Sequence, residues 1–150
     1  MDLILWRHAE AEDGAPDLER RLTSSGRREA ARVAKWLRRR LPSKYGVFAS
    51  PARRARETAG ALGVSFKTVA KLAPGASVEQ ILAAANWPAA GKPAIVVGHQ
   101  PDLGRVAASL VSGAETDWSI KKGGLWWLER RERGGEAQVV VRAVIAPDFA

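Results

Sequence analysis

The chain has 150 residues and a mass of 16.2 kDa, with 46% apolar and 27% charged residues. These values are typical of one globular domain with a full core, and they exclude disorder, collagen-like repeats and coiled coil. The absence of cysteine excludes disulfides, thiolate metal sites and thiol nucleophiles, and two histidines cannot form a three-histidine metal site. The net charge of +8 favours anionic ligands such as phosphates, nucleic acid or an acidic protein surface.

The first ten residues, MDLILWRHAE, are too short and become charged too early to form a signal peptide. No stretch approaches the roughly 20 apolar residues that span a bilayer. We therefore expect a cytoplasmic protein with no membrane partner. The chain has no internal repeat, low-complexity tract or long linker, so we expect a single domain over residues 1–150.

Strands and helices alternate along the predicted chain. Short apolar runs bounded by charged or turn residues indicate buried strands, and apolar residues at helical spacing indicate helices. Pro42, Gly63 and Gly113 end three of the helices. In chain order, the predicted elements are strand 3–6, helix 24–41, strand 45–49, helix 51–62, strand 65–69, helix 77–86, strand 94–98, helix 102–111, and strands 124–130 and 138–145.

This alternation predicts a three-layer α/β/α sandwich around a mostly parallel sheet. The last two strands, joined by the charged Gly-Gly turn of residues 133–136, predict an antiparallel hairpin at one edge. In such sheets ligands bind outside the carboxyl ends of the strands. This rule selects Arg7 and His8 after the first strand, Ser50 after the second and His99 after the fourth.

Both histidines of the chain thus follow predicted strand ends. A lone histidine is more often structural than functional, but two of two at ligand-binding ends favour a functional role. Arg7, next to His8, adds a permanently charged fork that suits phosphate.

The second strand runs into Ser50-Pro51, which predicts a helix with serine as N-cap and proline at its first position. A helix start offers backbone N–H groups and a positive dipole end to an anion. Arg53, Arg54 and Arg56 add full charges at the same place. As merely solvated residues they would oppose the dipole at an electrostatic cost, which a bound anion would offset.

These residues form ordered motifs: Arg7-His8, Ser50-Pro51…Arg54-Ala55…Thr58 and Gly98-His99. Their order and spacing resemble the histidine phosphatase superfamily, which has the phosphoglycerate mutase-like fold. The RHAEAE start and the segment Arg20-Arg21-Leu22-Thr23…Gly26 look most like the SixA-type phosphohistidine phosphatases. The resemblance extends from Leu3 to about Val111.

The resemblance implies a role for each matching residue. His8 would be the nucleophile that accepts the phosphoryl group, and Arg7 and His99 would contact the phosphate. Arg20, in the arginine-x-leucine-threonine position, would be a further phosphate contact.

The family arginine lies four residues after the serine and directly before alanine. This position selects Arg54 rather than Arg53 or Arg56.

The expected chemistry needs these residue types. A neutral imidazole is a good nucleophile toward phosphorus and, once phosphorylated, a good leaving group for water. The arginines supply the positive charge that magnesium supplies elsewhere, so we expect no metal and no other cofactor. Nearby arginines should also disfavour the imidazolium form of His8.

The chain departs from the family pattern at its general acid. No Asp or Glu lies between Glu57 and Glu79, and Gln100 and Pro101 follow His99 where one branch has an aspartate. The other difference, alanine in place of the glycine that often follows the nucleophile, is a small change. The carboxylates left as candidate acids are Glu10, Glu12 and Asp17, while Asp102 lies one turn too late.

The missing acid favours one substrate class. An alkoxide leaving group needs a proton from a nearby acid, whereas the imidazole of a phosphohistidine needs less help. We therefore predict a phosphatase that hydrolyses phosphohistidine on a partner protein of the histidine phosphotransfer type through a covalent intermediate on His8. Two alternatives stay open: a phosphatase of small phosphate esters, and a non-catalytic basic module for acidic protein or nucleic acid.

The predicted helix 24–41 is rich in cations. One interpretation is a solvated outer face opposite its apolar stripe, and the other is a docking face for an acidic partner. No nucleic-acid reader motif accompanies it, so nucleic acid is the less favoured partner, and we expect a monomer. The cations are Arg27, Arg28, Arg32, Lys35, Arg38, Arg39 and Arg40.

Overall fold

The computed structural model describes residues 1–150 and contains one six-stranded sheet with four α-helices. The strands are β1 (Asp2–Arg7), β2 (Gly46–Ala49), β3 (Lys67–Thr68), β4 (Ala94–Gly98), β5 (Leu125–Arg133) and β6 (Glu136–Ile145). The helices are α1 (Ser24–Arg38), α2 (Arg53–Gly60), α3 (Val78–Ala84) and α4 (Asp102–Ser112). Short 3₁₀ turns lie at Asp17–Glu19, Ala70–Leu72 and Pro147–Phe149. No helix is long and apolar enough to cross a membrane.

The strand order across the sheet is β3-β2-β4-β1-β5-β6. The first four strands in this order are parallel, whereas β5 runs antiparallel to β1 and β6 runs antiparallel to β5. The predicted mostly parallel sheet with an antiparallel hairpin at one edge is therefore confirmed. Since β2, β4 and β1 are neighbours and parallel, their carboxyl ends meet at one edge of the sheet.

Two apolar cores cover the two faces of the sheet. Ile4 and Trp6 of β1 pack with the apolar stripes of α1 and α2, whereas Leu3 and Leu5 pack with α3 and α4. All five residues of β4 are buried, as expected of a central parallel strand with helices on both sides. The predicted three-layer sandwich is confirmed.

Several predicted elements shift at their ends. α1 stops at Arg38 rather than at Leu41, because the N–H groups of Arg40 and Leu41 both bond to the carbonyl of Leu37 and tighten the last turn. α3 begins after Ser77, whose hydroxyl caps the helix in a reciprocal pair with Gln80. The strand predicted over 65–69 keeps only two residues, and α2 is shorter than predicted by two residues at each end.

The predicted start of α2 is wrong. The N-cap is Ala52, with no side-chain cap, and Arg53 is the first helical residue. The hydroxyl of Ser50 accepts the N–H of Ala52 and pairs with the imidazole of His99. The helix starts at Arg53 because the carbonyl of Ala52 accepts the N–H groups of Ala55 and Arg56, so Ser50 lies two residues before the N-cap.

Trp126 and Trp127 are adjacent in β5 and lie on opposite faces of the sheet, as strand alternation requires. Trp127 is buried against Trp36, with ring centroids 6.1 Å apart. Trp126 lies 5.4 Å from Trp118 and packs against the core of α3 and α4. Both faces of this strand are therefore covered, although Trp126 is only half-buried.

Candidate active site

The carboxyl ends of β1, β2 and β4 bring the two histidines together. His8 follows β1 and His99 follows β4, and their ring centroids are 5.3 Å apart. Both are more than nine-tenths buried, as is Arg54 from the first turn of α2. The parallel register of β1 and β4 pairs Arg7 with Gly98. His8 and His99 directly follow these two residues in the sequence, so the register places the two rings side by side.

A backbone hydrogen bond fixes the tautomer of His8. Its Nδ1 lies 2.7 Å from the carbonyl oxygen of Ala9, which can only accept, so Nδ1 carries the proton. The lone pair of the neutral ring is then on Nε2. The backbone N–H of His8 donates to the carbonyl of Gly98 at 3.1 Å, which ties the end of β1 to β4. Nε2 is therefore the ring nitrogen of His8 that has no hydrogen-bond partner and carries the lone pair.

Thr58 joins the histidine strand to the arginine helix. Its hydroxyl accepts the N–H of Ala9 at 3.0 Å and donates to the carbonyl of Arg54 one turn earlier, at 2.7 Å. Thr58 is fully buried. One hydroxyl thus sets the position of His8 relative to Arg54.

His99 has the opposite tautomer. Arg54 can only donate, and its Nη2 lies 3.4 Å from Nδ1 of His99, so Nδ1 is the acceptor. The proton is then on Nε2, which donates to the hydroxyl of Ser50 at 2.7 Å. Ser50 therefore orients the ring of His99, with Nδ1 turned toward Arg54.

Both imidazoles are neutral in this environment. Burial, followed by the charges of Arg54 and Arg7, lowers the pKa of His8 from 6.5 to about 4, against the opposing effect of its bond to Ala9. Burial and the charge of Arg54 lower the pKa of His99 to about 3. The sequence-based expectation that arginines disfavour the imidazolium of His8 agrees in direction, but desolvation is the larger cause.

One backbone carbonyl holds the side chain of Arg7 in place. Its Nη1 donates to the carbonyl of Ile120 at 2.7 Å. Gln100, next to His99, donates to the carbonyl of Trp118 in the same loop at 2.8 Å and accepts the N–H of Gly104. The loop that contains Trp118 and Ile120 therefore connects Arg7, which precedes His8, with Gln100, which follows His99.

The structure separates Arg54 from its two neighbours. Arg54 lies beside His99, whereas Arg53 is exposed and approaches Glu57 at 3.7 Å. Arg56 points away and donates to the carbonyl of Pro51. The three side chains leave the helix in different directions, and only Arg54 reaches the histidines.

The segment before α1 brings Arg20 to the same edge. Arg20 bonds to the carboxylate of Asp17 and to the carbonyl of Glu12, and its charge contributes to the lowered pKa of His8. Thr23 caps α1 through the N–H of Gly26. A side chain at Gly26 would collide with the carbonyl of Glu10, so glycine lets α1 pack against the segment after His8.

Each candidate acid has a basic or hydroxyl partner. Glu10 accepts from the hydroxyl of Thr23, Glu12 pairs with Arg21, and Asp17 pairs with two arginines. The buried carboxylate of Asp102 accepts the N–H groups of residues 75 and 76. No group of three His, Cys, Asp or Glu side chains is placed to hold a metal ion.

Sequence reasoning missed the hydrogen-bonding roles of Ser50 and Thr58. Both lie in the motif that selected Arg54, and a hydroxyl residue at i+4 from a buried arginine was the available signal. The carbonyls of Ala9 and Ile120 carry no signal, because any residue supplies a carbonyl.

Comparison with known proteins identifies the family. The model of the histidine phosphatase superfamily (branch 1) matches residues 3–75. An uncharacterized protein of Picosynechococcus sp. is 35% identical over 150 residues, which span 93% of this chain and 88% of that protein. An uncharacterized protein of Mycobacterium tuberculosis (strain H37Rv) is 33% identical over 121 residues, which span 76% of this chain and 75% of that protein.

Solved structures agree with this assignment. The structure of the protein histidine phosphatase SixA complexed with tungstate has a TM-score of 0.83 at 25% identity and covers 99% of this chain and 98% of that one. A Nakamurella multipartitia protein named as a phosphohistidine phosphatase, SixA, has a TM-score of 0.76 at 29% identity, over 97% and 96% of the two chains. These neighbours and the family model support a phosphatase. The chain belongs to the histidine phosphatase superfamily, and within it the chain is SixA-like.

Proposed function

We propose that the protein is a phosphohistidine phosphatase that removes the phosphoryl group from a histidine of a partner protein through a covalent intermediate on His8. The observation that carries this proposal is the free Nε2 of a buried, neutral His8 beside His99 and Arg54. A site with two imidazoles and several arginines suits a transferring phosphoryl group. The likeness to a protein histidine phosphatase supports the choice of substrate.

In the first step Nε2 of His8 attacks the phosphorus of the substrate. A bond forms between phosphorus and Nε2, and the bond between phosphorus and the imidazole nitrogen of the substrate breaks. The electron pair of that bond returns to the substrate ring, whose other nitrogen already carries a proton, so the ring leaves as a neutral imidazole. The proton on Nδ1 of His8 stays in its bond to Ala9, so the phosphorylated ring of His8 is a cation.

In the second step water attacks the same phosphorus. The bond to Nε2 breaks, its electron pair returns to the ring, and the cation becomes the neutral imidazole of the resting protein. The protons released by the water go to the phosphate and the solvent. Because the leaving ring loses its charge on departure, it is a good leaving group.

The arginines supply the electrostatic stabilisation. Phosphoryl transfer spreads negative charge over three equatorial oxygens, and fixed donors in a dry site stabilise that charge without reorganisation. In our proposal Arg7 and Arg54 bind these oxygens, with Arg20 at the outer side. A bound phosphoryl dianion would also favour a proton on Nδ1 of His99, which then donates to an oxygen.

The hydrogen bonds of the nearby carboxylates favour a phosphohistidine substrate over a phosphate ester. Although desolvation acts to raise it, the hydrogen bonds and charges of Arg20 and Arg54 together hold the pKa of Asp17 below its usual value. Glu10 and Glu12 are engaged with Thr23 and Arg21. Each of these carboxylates accepts a hydrogen bond or an ion pair from its partner and none donates toward the site, whereas an imidazole leaves with less assistance.

A groove adjoins the site on the side of Arg20. A polar groove of about 290 Å³ runs along the segment before α1 and is lined by Arg20, Arg21 and Arg53 among others. In our proposal the phosphorylated side chain of the partner protein approaches the site from this side.

The covalent step has a direct test. Brief exposure of the wild type to a phosphorylated substrate, followed by an alkaline quench, should trap one acid-labile phosphate on His8, and mass spectrometry of the peptides should locate it. His8→Ala should carry no label and lose turnover. His99→Gln, which leaves His8 as the only histidine, should still take label on His8, but more slowly than the wild type does. Label on His99 alone, or full activity without any label, would contradict the assignment.

The substrate class is tested by a panel of phosphorylated compounds. We expect kcat/KM for a histidine-phosphorylated protein to exceed that for a sugar phosphate by roughly 100-fold or more, because a missing general acid costs that much with an alkoxide leaving group. An aryl phosphate, whose leaving group is more acidic, should lie between them. Equal or faster hydrolysis of the sugar phosphate would make the protein a small-ester phosphatase.

The protonation states can be measured directly, because the chain has only two histidines. Nitrogen-15 NMR of the free protein at pH 7 should show a proton on Nδ1 of His8 and on Nε2 of His99. Since the neutral ring is the nucleophile and the pKa of His8 is lowered to about 4, neither ring should titrate as the pH falls from 8 to 5. A midpoint near 6.5, the ordinary imidazole value, would contradict this electrostatic description.

A further inference from the structure

One exposed carboxylate holds two arginines of the site. Oδ2 of Asp17 lies 3.2 Å from Nη2 of Arg54, and Oδ1 lies 3.0 Å from Nη2 of Arg20. The backbone carbonyl of Asp17 also accepts from Nη1 of Arg54, at 2.8 Å. Asp17 therefore accepts two hydrogen bonds from the guanidinium of Arg54, one through its carboxylate and one through its backbone carbonyl.

Arg54 has few other groups that could fix the position of its guanidinium. It is buried, and its only other hydrogen-bond partner is Nδ1 of His99 at the long distance of 3.4 Å. Its charge lies beside that of Arg20, and no other carboxylate forms an ion pair with either of them. Without Asp17, two like charges would share this edge of the site with no neutralising group.

From these contacts we infer that Asp17 is a positioning residue, which aligns Arg54 and Arg20 for the phosphoryl group. Two features favour this role over that of an anion displaced by phosphate. The carbonyl contact is part of the 3₁₀ turn and cannot leave as a side chain can. One carboxylate oxygen pairs with Arg20 and the other with Arg54, so Asp17 fixes the two guanidinium groups relative to each other.

The test uses para-nitrophenyl phosphate for turnover and orthovanadate for binding. Asp17→Ala should lower kcat/KM on the order of tenfold, mainly through KM, and weaken vanadate binding by a similar factor, as expected for a lost charge-assisted contact. Asp17→Asn keeps an oxygen that accepts from Arg54 and should recover part of the loss. In an Arg54→Ala background, the Asp17 substitution should cost less than about twofold, because the two residues act as one unit.

Asp13→Ala and Glu19→Ala are matched controls, since both remove an exposed carboxylate of the same segment that forms no ion pair. Both should retain wild-type kinetics and the wild-type melting temperature, and a cooperative thermal transition of Asp17→Ala should show that this variant is folded. Tighter vanadate binding by Asp17→Ala would show a competing anion, and additive losses with Arg54→Ala would show an independent role; either outcome overturns the inference. A wild type that binds no vanadate would instead contradict the proposed function.

A different observation concerns the outer face of α1. The structure has eight ion pairs, and none involves a cation between Arg27 and Arg40. Arg28, Arg32, Lys35 and Arg39 are exposed and recur every three or four residues, so they form one stripe about 16 Å long. We call these four residues the basic stripe.

A groove of about 460 Å³ adjoins the far end of the basic stripe. It is lined by Arg32, Lys35 and Arg39 of the stripe together with Trp36, Arg40 and Phe149. The guanidinium of Arg40 covers the indole of Trp36 at 4.2 Å, and Trp127 packs edge-on against the same indole. The indole is therefore not free to stack on a nucleobase, which favours a carboxylate-rich partner over single-stranded nucleic acid.

The geometry points to the basic stripe as a docking face for an acidic surface of the phosphorylated protein substrate. This rests on the proposed function. Thr23, the N-cap of α1, contacts Glu10, two residues after His8, so α1 begins at the edge of the site and the basic stripe leads away from it. Unpaired cations attract such a partner without first breaking internal ion pairs.

Two measurements test this face with a histidine phosphotransfer domain of pI below 5. The triple variant Arg32→Glu, Lys35→Glu, Arg39→Glu should weaken binding of the unphosphorylated domain, and lower kcat/KM on the phosphorylated domain, on the order of tenfold or more at low salt. Its kcat/KM on para-nitrophenyl phosphate should equal that of the wild type. The matched control, with the same charge change, is Lys67→Glu, Lys71→Glu, Lys92→Glu, and it should bind normally.

Unchanged binding of the domain by the triple variant overturns the docking face, even if the wild type hydrolyses phosphohistidine. Equal weakening by the control would show a general charge effect and also overturn it. Loss of single-stranded RNA binding with normal binding of the domain would make the stripe a nucleic-acid surface. Normal binding of the domain by the wild type without hydrolysis would contradict the proposed function and leave the docking face supported.

Discussion

The site depends on keeping two imidazoles neutral in a buried place rich in positive charge. Desolvation and the arginines both act against the imidazolium form, so the rings of His8 and His99 have neutral resting states. Neutral rings need their protons placed, and the carbonyl of Ala9 and the hydroxyl of Ser50 do this. The ring nitrogen of each histidine that carries the lone pair is consequently defined before any substrate arrives.

The fold supplies this arrangement through the sheet register. Three parallel strands end together, and Arg7 lies opposite Gly98, which places one histidine beside the other. α2 then delivers Arg54, and the hydroxyl of Thr58 locks that helix to the residue after His8. The arginines are held by carbonyls and by the carboxylate of Asp17. Hydrogen-bond acceptors in the loops, rather than in the sheet, therefore offset the desolvation and mutual repulsion of the buried arginines.

The sequence predicts the frame well, because local patterns determine it. Apolar runs and helical spacing locate the strands and helices, and the strand-end rule selects Arg7, His8 and His99. The prediction fails where a side chain has a partner far along the chain. Ser50 has the local pattern of an N-cap, yet its hydroxyl bonds to a histidine 49 residues away. The tautomers and the grip of Asp17 on Arg54 are likewise tertiary, so no local pattern contains them.

The chemistry of the leaving group explains how a site without a dedicated acid can still be effective. In the proposed first step the phosphoryl group moves from one imidazole to another, so the bond broken and the bond formed are of the same kind. The barrier then arises mainly from alignment and from the charge on the equatorial oxygens, which fixed arginines reduce. An ester would replace one imidazole by an alkoxide, a much stronger base, and the reaction would require a proton at the moment of departure. The selectivity proposed for this protein thus follows from a group that the site lacks as much as from the groups that it contains.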